Sequence, residues 1–228
     1  MKKKLTPMTR TEQAIGWPYL VIQLFFLPVL VVFINYWFDL KLSEAMLNVI
    51  LFTLDFLLIL TIFHRFLFNE LKAAKNIGKV LLVAVIGFAL YFSINTVVSI
   101  LVMILKPDHI NANNEAIGQL ASQEYTLMLI GTVLLVPITE EALFRGLLFG
   151  TLYRKSAVLG YVLSTLIFAA VHVVGYIGTQ DAVSLLISLI EYLPAGLVLG
   201  WAYARSGTIW TPILIHAVVN FIGMSALR

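Results

Sequence analysis

Six polar residues lie inside apolar stretches of the second half of this chain, and two pairs of them are four positions apart. They are Glu140, Glu141, Arg145, His172, His216 and Asn220. The stretches that hold them, such as LMLIGTVLLVPITEEALFRGLLFG, are apolar enough to lie in a lipid bilayer, where ionisable residues are costly and usually functional. Together they supply carboxylate, imidazole and amide groups, which suit the hydrolysis of a peptide bond.

The spacing of the two glutamates predicts different roles for them. Residues four apart share a helix face, so Glu141 is expected to pair with Arg145. Glu140 is turned away from Arg145 and has no partner along the helix, which suits a general base. The alternative is that both glutamates cap or anchor a helix that begins near Pro137.

The histidines also have neighbours four residues away. Phe168 precedes His172 at that spacing, so the ring is expected to shelter the imidazole, and His216 and Asn220 are expected to point together into a helix bundle. Taken singly, His172 is typical of an interfacial histidine, and the other two are typical of a hydrogen bond between membrane helices. Their occurrence in one half of a small chain favours a shared site.

The composition indicates a polytopic membrane protein with an all-α fold. Of 228 residues, 61% are hydrophobic and 12% are charged, and the mean hydropathy is +0.96. A span needs about 20 apolar residues, and we predict a bundle of about seven or eight transmembrane helices. The predicted spans are roughly 17–38, 46–68, 78–105, 125–153, 157–178, 182–204 and 209–227.

The domain organisation is predicted to be simple. Residues 1–228 form one membrane domain, because the links between spans are too short for a separate soluble unit. The polar stretch 106–123 separates the first three spans from a catalytic half at 125–228. Asp55 and Glu191 are isolated acids, expected to pair with a neighbouring helix or to line a water path rather than to act in catalysis.

The net charge of +3 and the pI near 9.1 do not indicate a nucleic-acid partner, because the basic residues lie at span ends. Their alternation, beginning with Lys2, Lys3, Lys4 and Arg10, predicts a cytoplasmic N-terminus. The expected location is the cell membrane of a prokaryote. The MKKK start lacks the features of a signal peptide, so the first span is expected to remain in the mature protein. The absence of cysteine excludes disulfides and thiolate catalysis.

Three ordered motifs carry a resemblance to a known family. EEALFR fits Glu-Glu-x-x-x-Arg, FAAVH fits Phe-x-x-x-His and HAVVN fits His-x-x-x-Asn, each on a different predicted span. Over residues 125–225 the chain resembles the CPBP family of intramembrane proteases (CAAX protease and bacteriocin-processing enzymes, also called the Abi family). The run YARSGTIWTPILIHAVVN resembles the last motif region of that family beyond its signature residues.

The resemblance implies an endopeptidase with a polar cavity reachable from the cytoplasm. It implies that Glu140 and His172 activate a water molecule, that His216 and Asn220 stabilise the oxyanion, and that Arg145 supports the site through Glu141. A metal-independent, glutamic-type mechanism is favoured, because a helical asparagine is an unusual zinc ligand and a good oxyanion donor. The alternative is a metallopeptidase with zinc held by Glu140, His172 and His216.

Two other classes of function stay open at this point. A bacteriocin self-immunity protein could act by binding in the membrane without cleavage, and a transporter could use the same residues as a proton relay. Transport is disfavoured because no paired broken helices occur in matching halves of the chain. The expected partners are a peptide or protein substrate and membrane lipid. Prenylated CAAX tails, pheromone precursors and bacteriocin leaders all agree with the motifs, and no residue selects among them.

Overall fold

The computed structural model describes residues 5–227, and the N-terminal lysines of the charge argument, Lys2, Lys3 and Lys4, lie outside this range. The described chain is a helical bundle, as predicted, with six helices long and apolar enough to cross a membrane and a shorter apolar one at the end. The helices are α1 (Arg10–Trp37), α2 (Glu44–Ile62), α3 (His64–Ala73), α4 (Ile77–Leu105), α5 (Ala112–Lys155), α6 (Ala157–Val171), α7 (Ala182–Ser206) and α8 (Trp210–Ser225).

The first two predicted spans differ from the observed helices at their ends. Helix α1 begins at Arg10 and not near residue 17, because Thr9 and Glu12 form a capping box that starts the helix earlier. The predicted span 46–68 is wrong at its C-terminal end, because α2 stops at Ile62. The amphipathic residues that follow form the separate helix α3, which lies along one face of the bundle.

The largest difference concerns the polar stretch 106–123, which was expected to separate two halves. From Ala112 onwards it belongs to α5, which Asn111 caps by accepting a hydrogen bond from the backbone N–H of Asn114. Helix α5 is bent at Glu124, where φ is −142° and ψ is 67°. Two wider, π-helical stretches follow, at Gly131–Leu135 and Ala142–Phe149, on either side of the glutamate pair.

Successive helices run in alternating directions, which gives the bundle two faces. The N-side face carries the start of α1, helix α3 and the turns at 155–157 and 206–210. The far face carries the links at 38–43, 106–111 and 172–181. Each face is tied together by polar contacts: Lys79 Nζ donates to the Ser206 carbonyl (2.9 Å) on the N-side face, and Lys106 pairs with Asp181 (3.0 Å) on the far face.

The main apolar core lies toward the N-side face. It is formed by buried residues that include Leu5, Met8, Phe63, Phe66, Leu147, Phe149, Tyr203 and Ile209. Two buried carboxylates join helix ends within it. Glu12 accepts from the backbone N–H of Phe66 (2.7 Å), and Glu70 accepts from the backbone N–H of Ile209 (2.6 Å). These contacts close the N-side end of the bundle.

Candidate active site

Glu140 and His172, which are predicted to activate water, come together with His216 around one carboxylate oxygen. Glu140 Oε2 lies 3.9 Å from His172 Nε2 and 3.9 Å from His216 Nε2. This oxygen is buried and has no hydrogen-bond partner, although the Glu140 side chain as a whole is 23% exposed. A water molecule about 2.8 Å from the carboxylate and from one imidazole would subtend an angle near 90°, so the gap fits one bridging water.

Glu141 holds a buried ion pair behind this centre. Its Oε1 accepts from Arg145 Nη1 (3.0 Å), in the pairing expected from the spacing, and from His216 Nδ1 (2.9 Å). Glu141 and Arg145 are both 0% exposed. The contact with His216 was not anticipated, because these residues lie 75 positions apart and no local periodicity joins them.

The hydrogen bonds of the two histidines fix which ring nitrogen faces Glu140. A carboxylate only accepts hydrogen bonds, so His216 Nδ1 must be protonated and donate the hydrogen bond to Glu141. His172 Nδ1 lies 2.7 Å from the Phe168 carbonyl, one of the last carbonyls of α6, and must also be the donor. Both Nε2 atoms are therefore turned toward Glu140.

Aromatic rings hold the His172 imidazole in place. Phe168 lies on one side at a centroid distance of 4.6 Å, as the spacing predicted, and Tyr192 stacks on the ring at 4.3 Å. Phe168 also carries the guanidinium of Arg145 over its face, 4.2 Å from the ring centroid. Phe168 thus connects the buried ion pair to the imidazole, whereas the role of Tyr192 had no signal in the motifs.

Asn220 points into the same site and is held by a hydrogen bond to a backbone carbonyl that Pro137 leaves free. In the π-helical stretch Gly131–Leu135 the bonding step is five residues, so Val136 N–H bonds the Gly131 carbonyl. The next bond would join residue 137 to Thr132, but proline has no N–H. The freed Thr132 carbonyl accepts from Asn220 Nδ2 at 2.7 Å. The second N–H of the amide is left for another acceptor.

The two histidines lie at very different distances from the starts of their helices. His172 follows the fifteenth residue of α6, whereas His216 is only six residues beyond Trp210, the first residue of α8. Helix α6 begins where expected. The turn before α8 is instead sunk into the protein: Thr208 and Ile209 are 0% exposed and bond to Glu70 of α3. Helix α8 therefore starts well below the N-side surface.

The site opens into a cavity of about 650 Å³. Glu140, His172, His216 and Asn220 all line it. Part of the remaining wall is polar and uncharged and lies outside the sequence motifs: Asn48, Tyr91, Asn95, Ser99, Asn111, Asn113, Asn114 and Tyr192. Tyr91, Asn95 and Ser99 follow one another at four-residue steps on α4, so this part of the wall had a detectable helical signal.

The two lower-ranked acids each have partners, as expected for them. Asp55 Oδ1 accepts from the Tyr19 hydroxyl at 2.5 Å. Glu191 accepts from Asn111 Nδ2 (2.7 Å) and lies 3.3 Å from His109 Nε2 on the cavity wall. Within residues 5–227, neither Asp55 nor Glu191 forms a hydrogen bond with Glu140.

A zinc ion does not fit these side chains as they are placed. Zinc ligand bonds of about 2.0–2.1 Å at a tetrahedral angle put two ligand atoms roughly 3.4 Å apart. The 3.9 Å separations from Glu140 to each histidine would need an angle near 145°. Across the described part of the chain, no group of three or more histidine, aspartate or glutamate side chains is arranged to hold a metal ion.

Comparison with known families confirms the resemblance that the motifs carry. Residues 122–222 match the family model described as type II CAAX prenyl endopeptidase Rce1-like. The match contains all of the motif residues. It begins within α5 and ends within α8.

Three curated proteins are similar to parts of this chain. The UPF0177 protein YxdF of Lactococcus lactis is 27% identical over 60% of this chain and 73% of its own length. YdiL of Bacillus subtilis, whose name assigns it provisionally to the membrane peptidases, is 32% identical over 64% of this chain and 55% of its own length. An uncharacterized 24.3 kDa protein of Escherichia coli is 31% identical over 43% of each chain. No solved structure matches.

The apolar helices support an integral membrane protein, and its residues 122–222 are similar to the type II CAAX prenyl endopeptidases. The alignments to YdiL and to the Escherichia coli protein span only about half of those relatives.

Proposed function

Because residues 122–222 relate this chain to the type II CAAX prenyl endopeptidases, we propose that it is an intramembrane endopeptidase with Glu140 as its general base. One observation carries the proposal. The buried, unpartnered Oε2 of Glu140 faces the Nε2 atoms of His172 and His216 across gaps that fit a water molecule. No other carboxylate in residues 5–227 has two imidazoles in this arrangement.

The proposed reaction begins with a water held between Glu140 and His172. Neutral His172 presents the lone pair of Nε2, since its Nδ1 donates to the Phe168 carbonyl, so it can accept a hydrogen bond from this water. Glu140 takes a proton from the water as the oxygen attacks the carbonyl carbon of the peptide bond. The protonated Glu140 then delivers that proton to the leaving amine as the C–N bond breaks.

His216 and Asn220 are proposed to stabilise the oxyanion of the tetrahedral intermediate. His216 is proposed to donate from Nε2 as an imidazolium, because its Nδ1 already donates to Glu141. Asn220 contributes the N–H that Thr132 does not use. Arg145 is a positioning residue in this proposal, since it neutralises Glu141 and supports Phe168 without facing the cavity.

No metal ion is required in this proposal. Glu140 and the histidines supply the base and the donors that amide hydrolysis needs. The expected substrate is a peptide or protein segment that reaches the membrane.

The test compares peptide termini in membranes from cells that carry the unmodified chain or the nearly isosteric Glu140→Gln variant at equal abundance. The matched control is Glu115→Gln, an exposed glutamate on the same helix. Termini that disappear only in Glu140→Gln support the peptidase and name its substrate. Repeating the assay on purified protein with and without chelator tests the metal-independent mechanism, which predicts no loss on chelation.

A self-immunity protein that acts by binding would give a different result. Its protective phenotype would persist in Glu140→Gln and the peptide termini would be unchanged. That outcome would replace the peptidase proposal with a binding role for the same cavity.

A further inference from the structure

The cavity around Glu140 extends toward the far face of the bundle. The helices that line it contribute mainly residues from the half nearest that face. The lining residues include Asn48 near the start of α2, Ser99 near the end of α4, Asn113 at the start of α5, Glu191 in the first half of α7, and Met224 at the end of α8. His172 itself directly follows the far-face end of α6.

In the part of the chain that the structure describes, the N-side end of the bundle offers no comparable route to Glu140. Phe63, Phe66 and Leu147 are 0% exposed there and belong to one continuous apolar core. The buried turn before α8 closes over this core through the Glu70 carboxylate. A substrate arriving from the N-side face would have to displace these contacts, whereas the far-face half of the site is already hollow.

Basic residues mark the two faces differently. On the N-side face the described lysines and arginines are Arg10, Arg65, Lys72, Lys75, Lys79, Arg154, Lys155 and Arg205, whereas the far face has Lys41 and Lys106. Short cytoplasmic segments of membrane proteins carry the excess of lysine and arginine. The distribution therefore favours the N-side face as the cytoplasmic one.

We infer that the substrate reaches Glu140 from the extracytoplasmic face of the membrane. The resemblance implies a cavity open to the cytoplasm, and the charges imply a cytoplasmic N-terminus. In this fold the two expectations exclude each other, because the N-terminal helix starts at one face and the cavity lies toward the other. The charge asymmetry and the closed N-side core both favour the outward direction.

The cavity wall indicates what kind of substrate would fit. Its asparagine side chains have the donors and acceptors of a peptide bond, and they carry no charge. Away from the catalytic centre the charged residue on the wall is Glu191, which already binds Asn111. The substrate class is accordingly a peptide segment at or just beneath the outer membrane surface, such as part of an exported peptide. This assignment of substrate rests on the proposed peptidase activity.

The direction of access can be measured without any assay of cleavage. The chain has no cysteine, so single-cysteine variants need no background substitutions. Thr179→Cys reports on the far face, Lys75→Cys on the N-side face and Ser99→Cys on the cavity wall; all three positions are exposed. Intact and permeabilised cells are treated with a charged maleimide that does not cross membranes, in the unmodified and Glu140→Gln backgrounds.

The inference predicts that Thr179→Cys and Ser99→Cys are labelled equally in intact and permeabilised cells, and that Lys75→Cys is labelled only after permeabilisation. Labelling of Lys75→Cys but not Thr179→Cys in intact cells would overturn the orientation. A Ser99→Cys thiol that reacts only after permeabilisation, or in neither condition, would overturn the outward opening.

A second arm connects access to the substrate. Labelling Ser99→Cys from outside is expected to reduce Glu140-dependent cleavage by at least about tenfold, because the bulky adduct fills the route to the site. Undiminished cleavage by fully labelled protein would refute the outward route. If no variant shows Glu140-dependent cleavage while the labelling pattern holds, the peptidase proposal fails and the outward opening stands.

Discussion

The two neighbouring glutamates of this site should respond differently to substitution by glutamine, one through stability and the other through catalysis. Glu141 is fully buried and bonds Arg145 and His216, whereas Glu140 has a buried oxygen without a partner. Glu141→Gln removes the negative charge that compensates a guanidinium with no exposure to solvent. Glu140→Gln removes a charge that no hydrogen bond to Oε2 stabilises. The first change should affect folding and the second should affect chemistry.

The structure gives the size of the difference. Breaking a buried ion pair on one side typically costs about 3–5 kcal/mol, because the remaining charge is left uncompensated. Arg145 keeps a bond to the Ala195 carbonyl (3.2 Å), but its Nε has no acceptor even with Glu141 present. We therefore expect the full range for Glu141→Gln, and a change within about 1 kcal/mol for Glu140→Gln.

The assay is thermal unfolding of detergent-purified protein, followed by tryptophan fluorescence. A loss of 3–5 kcal/mol corresponds to a decrease in Tm on the order of 10 °C for a chain of this size. The double variant Glu141→Gln/Arg145→Met should unfold at a higher temperature than Glu141→Gln alone, since replacing both charges removes the uncompensated one.

Equal unfolding temperatures for Glu141→Gln and the unmodified chain would refute the reasoning. So would a double variant that is no more stable than the single one. Either result would mean that Arg145 does not depend on Glu141 for compensation of its charge.

Three further predictions concern other parts of the molecule. Asn220→Ala should reduce the rate constant of cleavage about 100- to 1,000-fold, as measured by single-turnover kinetics. It should also lower Tm by a few degrees, because the buried Thr132 carbonyl loses its donor. Burial raises the pKa of Glu70 above its usual range. The unmodified chain should therefore lose stability as pH rises from the usual glutamate pKa through this raised value. In Tm measurements across the same pH window, the Glu70→Gln variant should lose less stability. Hydrogen bonds from Ser184 and Lys106 lower the pKa of Asp181, so its contribution should be complete above the usual aspartate pKa and lost as pH falls through the lowered value. Asp181→Asn should remove that acid-side loss, which melting curves between neutral and acidic pH would reveal.

Much of the candidate site could be predicted because its signals are local. The pairing of Glu141 with Arg145 and the contact between Phe168 and His172 both follow from four-residue spacing on a helix. The transmembrane helices were predictable from apolar length alone, and their type was right throughout the described chain.

The features that escaped prediction depend on contacts between distant segments. The bond between His216 and Glu141 joins α8 to α5, and the depth of His216 depends on how Glu70 of α3 holds the turn before α8. Helix ends were misjudged where a polar cap extends a helix beyond its apolar part, as at Thr9 and Asn111. The asparagine wall was missed because each residue alone is unremarkable in an apolar helix.

The wide turn at Gly131–Leu135 makes the number of residues in α5 as important as their identity. Removing one residue there, for example Val133, would restore the ordinary helical step and rotate Glu140 by about 100° relative to the start of the helix. Every motif residue would survive such a deletion, yet the carboxylate would no longer face the histidines. The number of residues between Met128 and Pro137 thus determines whether the site can form. A sequence alignment that allows a gap in this segment would score a chain with a misoriented Glu140 as if its site were intact.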